Sequence, residues 1–441
     1  MMRRCGAAAR WVALALAVAP AGASVACSAP DAASSGRAGS VPGLQRADSL
    51  VAAWVDEERV PGAMLLVTKD GEQVFRKAYG QAQLYGYGAG QYPNGEGRPG
   101  AGIERLDRPR AMTPETIFDL ASVTKVMATT FAIMLLVDRG ELDLDAPLHT
   151  YLEDFRGPEK DGITLRHLLT HRAGLRQWVP VYYHASSSDE ANAHVRDLPL
   201  GWSVEEGRHY SDLGFMLLGR VVEEVTGNSL EVFLRGELYG PLGLEHTGFG
   251  GRDAFAGPFA ATSHGNPFEY RMVHDTTFGY RIEGDADAWN GWRTRTLVGE
   301  VNDGNAYHAF GGQAGHAGLF STADDLAVLL ELLLAAGSRE GRRFLSPEVV
   351  ALFLAPTGEG QALGWQTPDY LPSSGFAHTG FTGTFVIGVR DQRLAVVLLT
   401  NRQNVGVDAD TRYPDLGPLQ REVAKALTGF APAETSPAGG P

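Results

Sequence analysis

Cysteine is nearly missing from this 441-residue chain, which holds only Cys5 and Cys27. Both lie in the first 27 residues, so the folded body has no disulfide and must be held by its core alone. Positive charge is also short, with 38 Lys and Arg against 52 Asp and Glu and a net charge of −14. Such an acidic surface argues against nucleic acid and anionic lipid as partners. Beyond the first twenty residues no segment reads as long and apolar enough to span a bilayer, which takes about 20 residues. The G-x-S-x-G, H-E-x-x-H and P-loop patterns are absent, as is any internal repeat.

What is present begins with a leader. Arg3, Arg4 and Arg10 precede an apolar run from Trp11 to Ala19, followed by small residues. This reads as an export signal over residues 1–26. Removing its three positive charges takes the net charge from −14 to −17. "SVAC" places small residues before Cys27 as at a lipoprotein processing site, although Ser24 stands where leucine is more usual. Ordinary cleavage after Ala23 is the alternative. A lipid on Cys27 and a small, polar tether over 27–43 would anchor an otherwise exported protein to a membrane, periplasmic in either case. The body, 44–428, reads as one domain of a monomer, and 429–441 as a disordered tail.

Periodicity places an amphipathic helix over Leu44–Val60 and a hairpin in "GAMLLVTKDGEQVFRKAYG", turning at Asp70-Gly71. Residues 81–110, rich in glycine, proline and tyrosine, read as a loop insertion. Residues 141–250 are mostly helical, including Thr164–Thr170, Tyr210–Thr226 and Leu230–Leu238. Residues 251–310 carry aromatics without period and read as irregular. A helix follows over Thr322–Leu334, then two strands in "GTFVIGVR" and "LAVVLLTNR", and a last helix over Leu416–Leu427. Strands at both ends with helices between them predict an α+β fold. One antiparallel sheet is built from both termini and flanked by helices, with a mostly helical second lobe. The cleft between lobes is the expected ligand site.

"ASVTKVMATT" puts Ser122 and Lys125 one turn apart at the start of an apolar helix, on one face. A serine becomes a nucleophile when a neighbour takes its proton, and an amine in an apolar pocket loses proton affinity and can do so. The helix N-terminus offers N–H groups to a developing oxyanion. Taken alone, Ser-x-x-Lys recurs by chance. Two more stretches give it meaning. "GRHYSDLGFMLLG" sets Tyr210, Ser211 and Asp212 at the mouth of an apolar helix. "FAHTGFTGTFVIGV" sets His378, Thr379 and Gly380 at the start of a strand, with glycines that permit close backbone approach.

In this order the three stretches resemble the serine β-lactamase and penicillin-binding protein superfamily, with its S-x-x-K, Y-x-N or S-D-N, and K-T-G set. "TIFDLASVTK", "LLTHRAGL", "PLGLEHTGF" and "LLTNR" are similar to its branch of class C β-lactamases, D-alanyl-D-alanine carboxypeptidases and related esterases. The likeness runs from about residue 45 to 428. "GHAGLFSTADDLA", residues 315–327, resembles a penicillin-binding-like subgroup with a cell-wall setting. The resemblance implies a serine hydrolase working through a covalent acyl-enzyme, without cofactor or metal. Its substrates would be D-Ala-D-Ala-type peptides or related amides, esters or β-lactams, with a carboxylesterase and a non-catalytic penicillin-binding protein as alternatives. It implies Ser122 as nucleophile, Lys125 as proton acceptor or relay, and Tyr210 as general base and acid. The N–H groups of Ser122 and Phe381 would form the oxyanion hole. His378, Thr379, Gly380 and Phe381 would line the substrate, with His378 against a substrate carboxylate.

Asp212 departs from the pattern. The usual asparagine donates to a substrate amide carbonyl, whereas an ionised aspartate only accepts. It would hold Lys125 charged and shift the base role toward Tyr210. His316 reads as a packed loop histidine. His167 and His171 read as capping and packing residues, since a metal pair would need a third ligand. Asp285 and Asp287 fail as a calcium loop because Trp289 and Asn290 occupy positions needing a ligand and a glycine. Tyr85, Tyr87 and Tyr92 either rim the cleft or pad a loop.

Overall fold

A computed structural model of the chain describes residues 41–87, 100, 102–278 and 284–430. The leader, Cys27, the tether through residue 40, Tyr92 and nearly all of the tail lie outside those residues. Alternation builds the sheet. Along Gly62–Lys69, Ala63, Leu65 and Val67 join one buried core, while Met64 and Leu66 join another on the opposite face. A strand buried on both faces needs a layer on each side. Asp70 and Gly71 turn the chain at φ 56° and 83° into the strand Glu72–Gly86, as their side chains allow.

Six strands form one antiparallel sheet. Their order is Gly375–Thr379, Thr384–Val389, Leu394–Thr400, Gly62–Lys69, Glu72–Gly86 and Glu104–Ala111. The two ends of the chain meet in its middle, with Ala63 opposite Thr400 and Lys69 opposite Leu394. The terminal helices Leu44–Asp56 and Gly417–Thr428 cover one face through Val51, Trp54, Leu419 and Val423. The helix Ala323–Leu334 and the helical lobe share the larger core on the other face. The α+β architecture anticipated from the sequence is the one observed.

Three expectations need correction. Residues 81–110 are not simply a loop insertion, because the strand Glu72–Gly86 enters them and Glu104–Ala111 forms the sheet's edge. That edge is charged and mostly exposed and contains Pro109, which a one-sided strand tolerates. Residues 251–310 hold the paired strands Ala261–His264 and Thr296–Val298 and the helices Pro267–His274 and Gly304–Ala309. The run Ala121–Asp138 is as long and apolar as a membrane span, but 83% of it is buried inside the protein. It is the central helix of the core.

Candidate active site

Ser122 stands where that central run begins. The short strand Phe118–Asp119 pairs with Phe320–Ser321, and the chain then bends through Ala121 at φ 45°. This left-handed value costs an L-residue about 1–2 kcal/mol, so something must hold it. Asp119 does so. Its carboxylate accepts the Ala121 N–H at 2.8 Å and the Asn302 N–H at 2.5 Å. Burial raises its pKa to about 6, against the pull of those two donors. Ala121–Val123 is a 3₁₀ turn, Lys125–Thr130 a π-helical stretch, and regular α-helix starts only at Phe131. The Thr130 hydroxyl donates to the Lys125 carbonyl at 2.8 Å, and the Thr129 hydroxyl to the Gly315 carbonyl at 2.6 Å. Such wide turns gather at functional sites.

Ser122 and Lys125 share a face in spite of this winding, and Lys125 Nζ donates to Ser122 Oγ at 3.0 Å. The amine is completely buried. It also donates to the His316 carbonyl at 3.0 Å and pairs with Asp212 Oδ1 at 2.7 Å. Burial pushes the ammonium's pKa down, but Asp212 and Tyr210 outweigh it and the net shift is upward. Lys125 is therefore held charged, as the aspartate implied. The phenol of Tyr210 is raised by burial and by Asp212, while Lys125 and a hydrogen bond to Ser122 pull the other way. Tyr210 is thus a neutral phenol in touch with both Ser122 and Lys125.

The segment carrying these groups is fixed from two sides. Ser211 caps the helix Asp212–Thr226 through the Gly214 N–H, and Gly227 ends it at φ 66°. His171, at φ 58°, accepts the Ser211 N–H on Nδ1 at 3.1 Å, and its ring lies 4.4 Å from that of Tyr210. His167 completes a capping box with Thr164. Both histidines therefore act by capping and packing. Gly315 lies against the same helix so closely that a Cβ there would sit 2.0 Å from the Phe215 carbonyl. This contact brings the His316 carbonyl onto Lys125, while the buried His316 ring pairs with Asp303 at 3.0 Å. The "GHAG" stretch serves Lys125 through backbone rather than through its imidazole.

The third segment closes the site. A Cβ on Gly380 would lie 2.4 Å from the Leu120 carbonyl and 2.0 Å from Thr384 Oγ1, so only glycine brings the strand end this near the nucleophile turn. Thr379, Gly380 and Phe381 line a cleft of about 620 Å³ together with Ser122, Tyr210 and Asp212. No acceptor among the described residues takes the Phe381 N–H, which leaves it free to serve an oxyanion. His378 is different from expectation. Its ring is fully buried, Nδ1 donates to the Thr379 carbonyl at 2.9 Å, and burial drives its pKa to about 3. A neutral, enclosed imidazole cannot pair by charge with a substrate carboxylate. The cleft is instead lined by residues assigned no role from sequence, among them Glu269, Asn302 and Asp303, and Arg208 and Arg402 within the quoted stretches. A partial clue to Arg208 was its place two residues before Tyr210.

The geometry provides a serine hydroxyl, a charged amine bridged to a carboxylate, a phenol and a free backbone donor around one cleft. That set can form and hydrolyse an acyl-serine. Comparison with known proteins agrees. The Beta-lactamase family model matches residues 47–417. The chain is 34% identical over 383 residues to the N-acetylmuramyl-L-alanine amidase of Bacillus subtilis (strain 168), covering 81% of this chain and 80% of that protein. It is 29% identical over 402 residues to a protein of Escherichia coli O157:H7 named as a D-alanyl-D-alanine carboxypeptidase, covering 85% of each. The octameric penicillin-binding protein homologue of Pyrococcus abyssi shares the fold, with a TM-score of 0.61 at 22% identity over 89% of this chain and 78% of that one.

Proposed function

We propose that this chain, which belongs to the Beta-lactamase family and is a serine hydrolase, cleaves a cell-wall amide at a lactyl-type acyl group, as at a muramyl–L-alanine bond. One observation carries the choice of acyl group, the 2.7 Å pair between Lys125 and Asp212. A D-Ala-D-Ala peptide or a β-lactam presents an acylamide next to its reacting carbonyl, and that acylamide carbonyl needs a donor. Asp212 offers only acceptor oxygens, one of them already committed to Lys125. Facing a carbonyl with a carboxylate leaves a polar group unpaired, at about 1–3 kcal/mol. A lactyl group carries an ether oxygen at that position and makes no such demand. The amidase name of the Bacillus subtilis relative supports the same reading.

In this mechanism Ser122 Oγ attacks the acyl carbon, and its proton is relayed through Tyr210 and the Lys125 ammonium to the Asp212 carboxylate, the member of the cluster able to gain one. The carbon–nitrogen bond then breaks as Tyr210 returns a proton to the leaving amine, and water later releases the acyl group. The N–H groups of Ser122 and Phe381 receive the oxyanion. The test is to incubate the protein with N-acetylmuramyl-L-alanyl-D-isoglutamine and with an acylated Lys-D-Ala-D-Ala peptide and to follow products by mass. Release of the muramyl acid with little free D-alanine is expected. Efficient D-alanine release with an intact muramyl amide would replace this reading with a carboxypeptidase one.

A further inference from the structure

Arg208 is a charged group with no ion-pair partner among the described residues. It lines the cleft that holds Ser122, and it is partly buried. Among the described residues no carboxylate reaches it within 4 Å. Glu359, the carboxylate whose charge acts on it, is paired with Arg172 at 2.8 Å. Burial lowers the guanidinium's proton affinity, and Tyr210 and Glu359 at longer range offset that desolvation cost only in part. The side chain is not loose. Its Nε donates to Gln361 Oε1 at 3.0 Å, and Gln361, buried to 1% exposure, is itself held by a bond from Nε2 to the Leu169 carbonyl at 3.3 Å. Anchoring through Nε fixes the plane of the guanidinium and leaves both terminal nitrogens without a partner among the described residues. That pair of parallel donors matches the two oxygens of a carboxylate.

We infer that Arg208 is a carboxylate subsite, so that the substrate bears an anionic group within reach of the cleft besides its scissile amide. This rests on the cleft being the substrate site proposed above, but not on the identity of the acyl group. The carboxylate could belong to the acyl side or to the leaving side, and the experiment separates the two. Calorimetry with Ser122→Ala protein, which needs no turnover, would compare two pairs of probes. Succinyl-4-nitroanilide against butyryl-4-nitroanilide places the charge on the acyl side. The acetyl esters of 3-hydroxybenzoate and 3-hydroxybenzamide place it on the leaving side.

The carboxylate member of one pair is expected to bind about tenfold tighter or more, the worth of a charged hydrogen bond. Adding Arg208→Gln should collapse that ratio to about one, and Arg208→Lys should keep part of it. A ratio is insensitive to a general loss of binding. No preference in either pair, or a preference that survives Arg208→Gln, overturns the inference. So does loss of all binding in both Arg208 variants, which would make the residue structural. Failure of the muramyl substrate to turn over would leave this result unaffected, so the two readings fall separately.

Discussion

Replacing Asp212 by asparagine keeps the shape of the side chain and removes one charge from a pair 2.7 Å long. Lys125 is completely buried in that pair and Asp212 is 18% exposed. Breaking a buried pair by removing one partner costs about 3–5 kcal/mol when the other charge stays. Lys125 has an escape, since it can lose its proton. From an unfolded value near 10.4, deprotonation at pH 7 costs about 4.6 kcal/mol at 1.36 kcal/mol per unit, which caps the loss. We expect Asp212→Asn to lose about 3 kcal/mol of unfolding free energy at pH 7.

The pH dependence then separates the two forms. In the wild type the folded pKa of Lys125 is raised, so its contribution is fully present below about pH 10.4 and is lost only as pH rises through the folded value. In the variant burial is opposed only by Tyr210, and the folded pKa is expected to fall below the unfolded one. Between those values the unfolded chain binds more protons, so the variant gains stability as pH rises. Urea unfolding at pH 7, 8 and 9 should show the deficit shrinking, by up to about 1.4 kcal/mol per unit where Lys125 is neutral. The same variant gains an amide donor, so penicillin acylation should rise tenfold or more relative to small activated esters. A deficit under 1 kcal/mol that stays constant with pH would refute the account of the ion pair. Unchanged penicillin acylation would refute the account of specificity.

Tyr210→Phe keeps the ring against His171 and removes only the phenol, so fluorophosphonate labelling of Ser122 should slow by about 10²-fold while stability changes little; a slowing under threefold would return the base role to Lys125 alone. Gly380→Ala drives a Cβ into the Leu120 carbonyl and Thr384 Oγ1. The strand end must then withdraw from the nucleophile turn, carrying the Phe381 N–H with it. Acylation rates should fall by about 10²–10³-fold, the worth of one oxyanion donor. A variant that acylates within threefold of wild type would show that Phe381 is not that donor.

The central strands of the sheet were legible because they are short continuous apolar runs and the first hairpin turns on Asp-Gly. The three chemical segments were legible because residue types recur at fixed spacing. The remainder is set by partners far away in sequence. Glu104–Ala111 carries no apolar alternation because an exposed edge needs none, and its pairing with Glu72–Gly86 supplies the strand. The elements within 251–310 are short and tied together by side chains rather than by period. Arg293 is buried there, and donates to Asn266 Oδ1 at 3.0 and 2.8 Å and to the Asn302 carbonyl at 2.5 Å. The carboxylate role given to His378 failed for the same reason. The sequence put it at the start of a strand, whereas it lies near the end of Gly375–Thr379, and burial there neutralises it.

Strain at the nucleophile shows how the local and the distant combine. Nothing in "DLASVTK" asks for a left-handed alanine, and a helix starting smoothly at Leu120 would be locally cheaper. The bend at Ala121 survives because long-range bonds converge on it. The Leu120 N–H goes to the Leu319 carbonyl at 2.9 Å, and the Leu120 carbonyl accepts from Thr384 Oγ1 at 2.9 Å. The Asp119 carbonyl accepts from Thr382 Oγ1 at 2.7 Å, and its carboxylate holds Ala121 and Asn302. These partners come from the strand region after His378, from Leu319 just past the "GHAG" stretch, and from the segment beside Asp303. The same bonds that fix the strained turn therefore join the cleft walls to it. Serine, lysine and free backbone donor are set by one network, and loosening any wall would relax the nucleophile before it unfolded the domain.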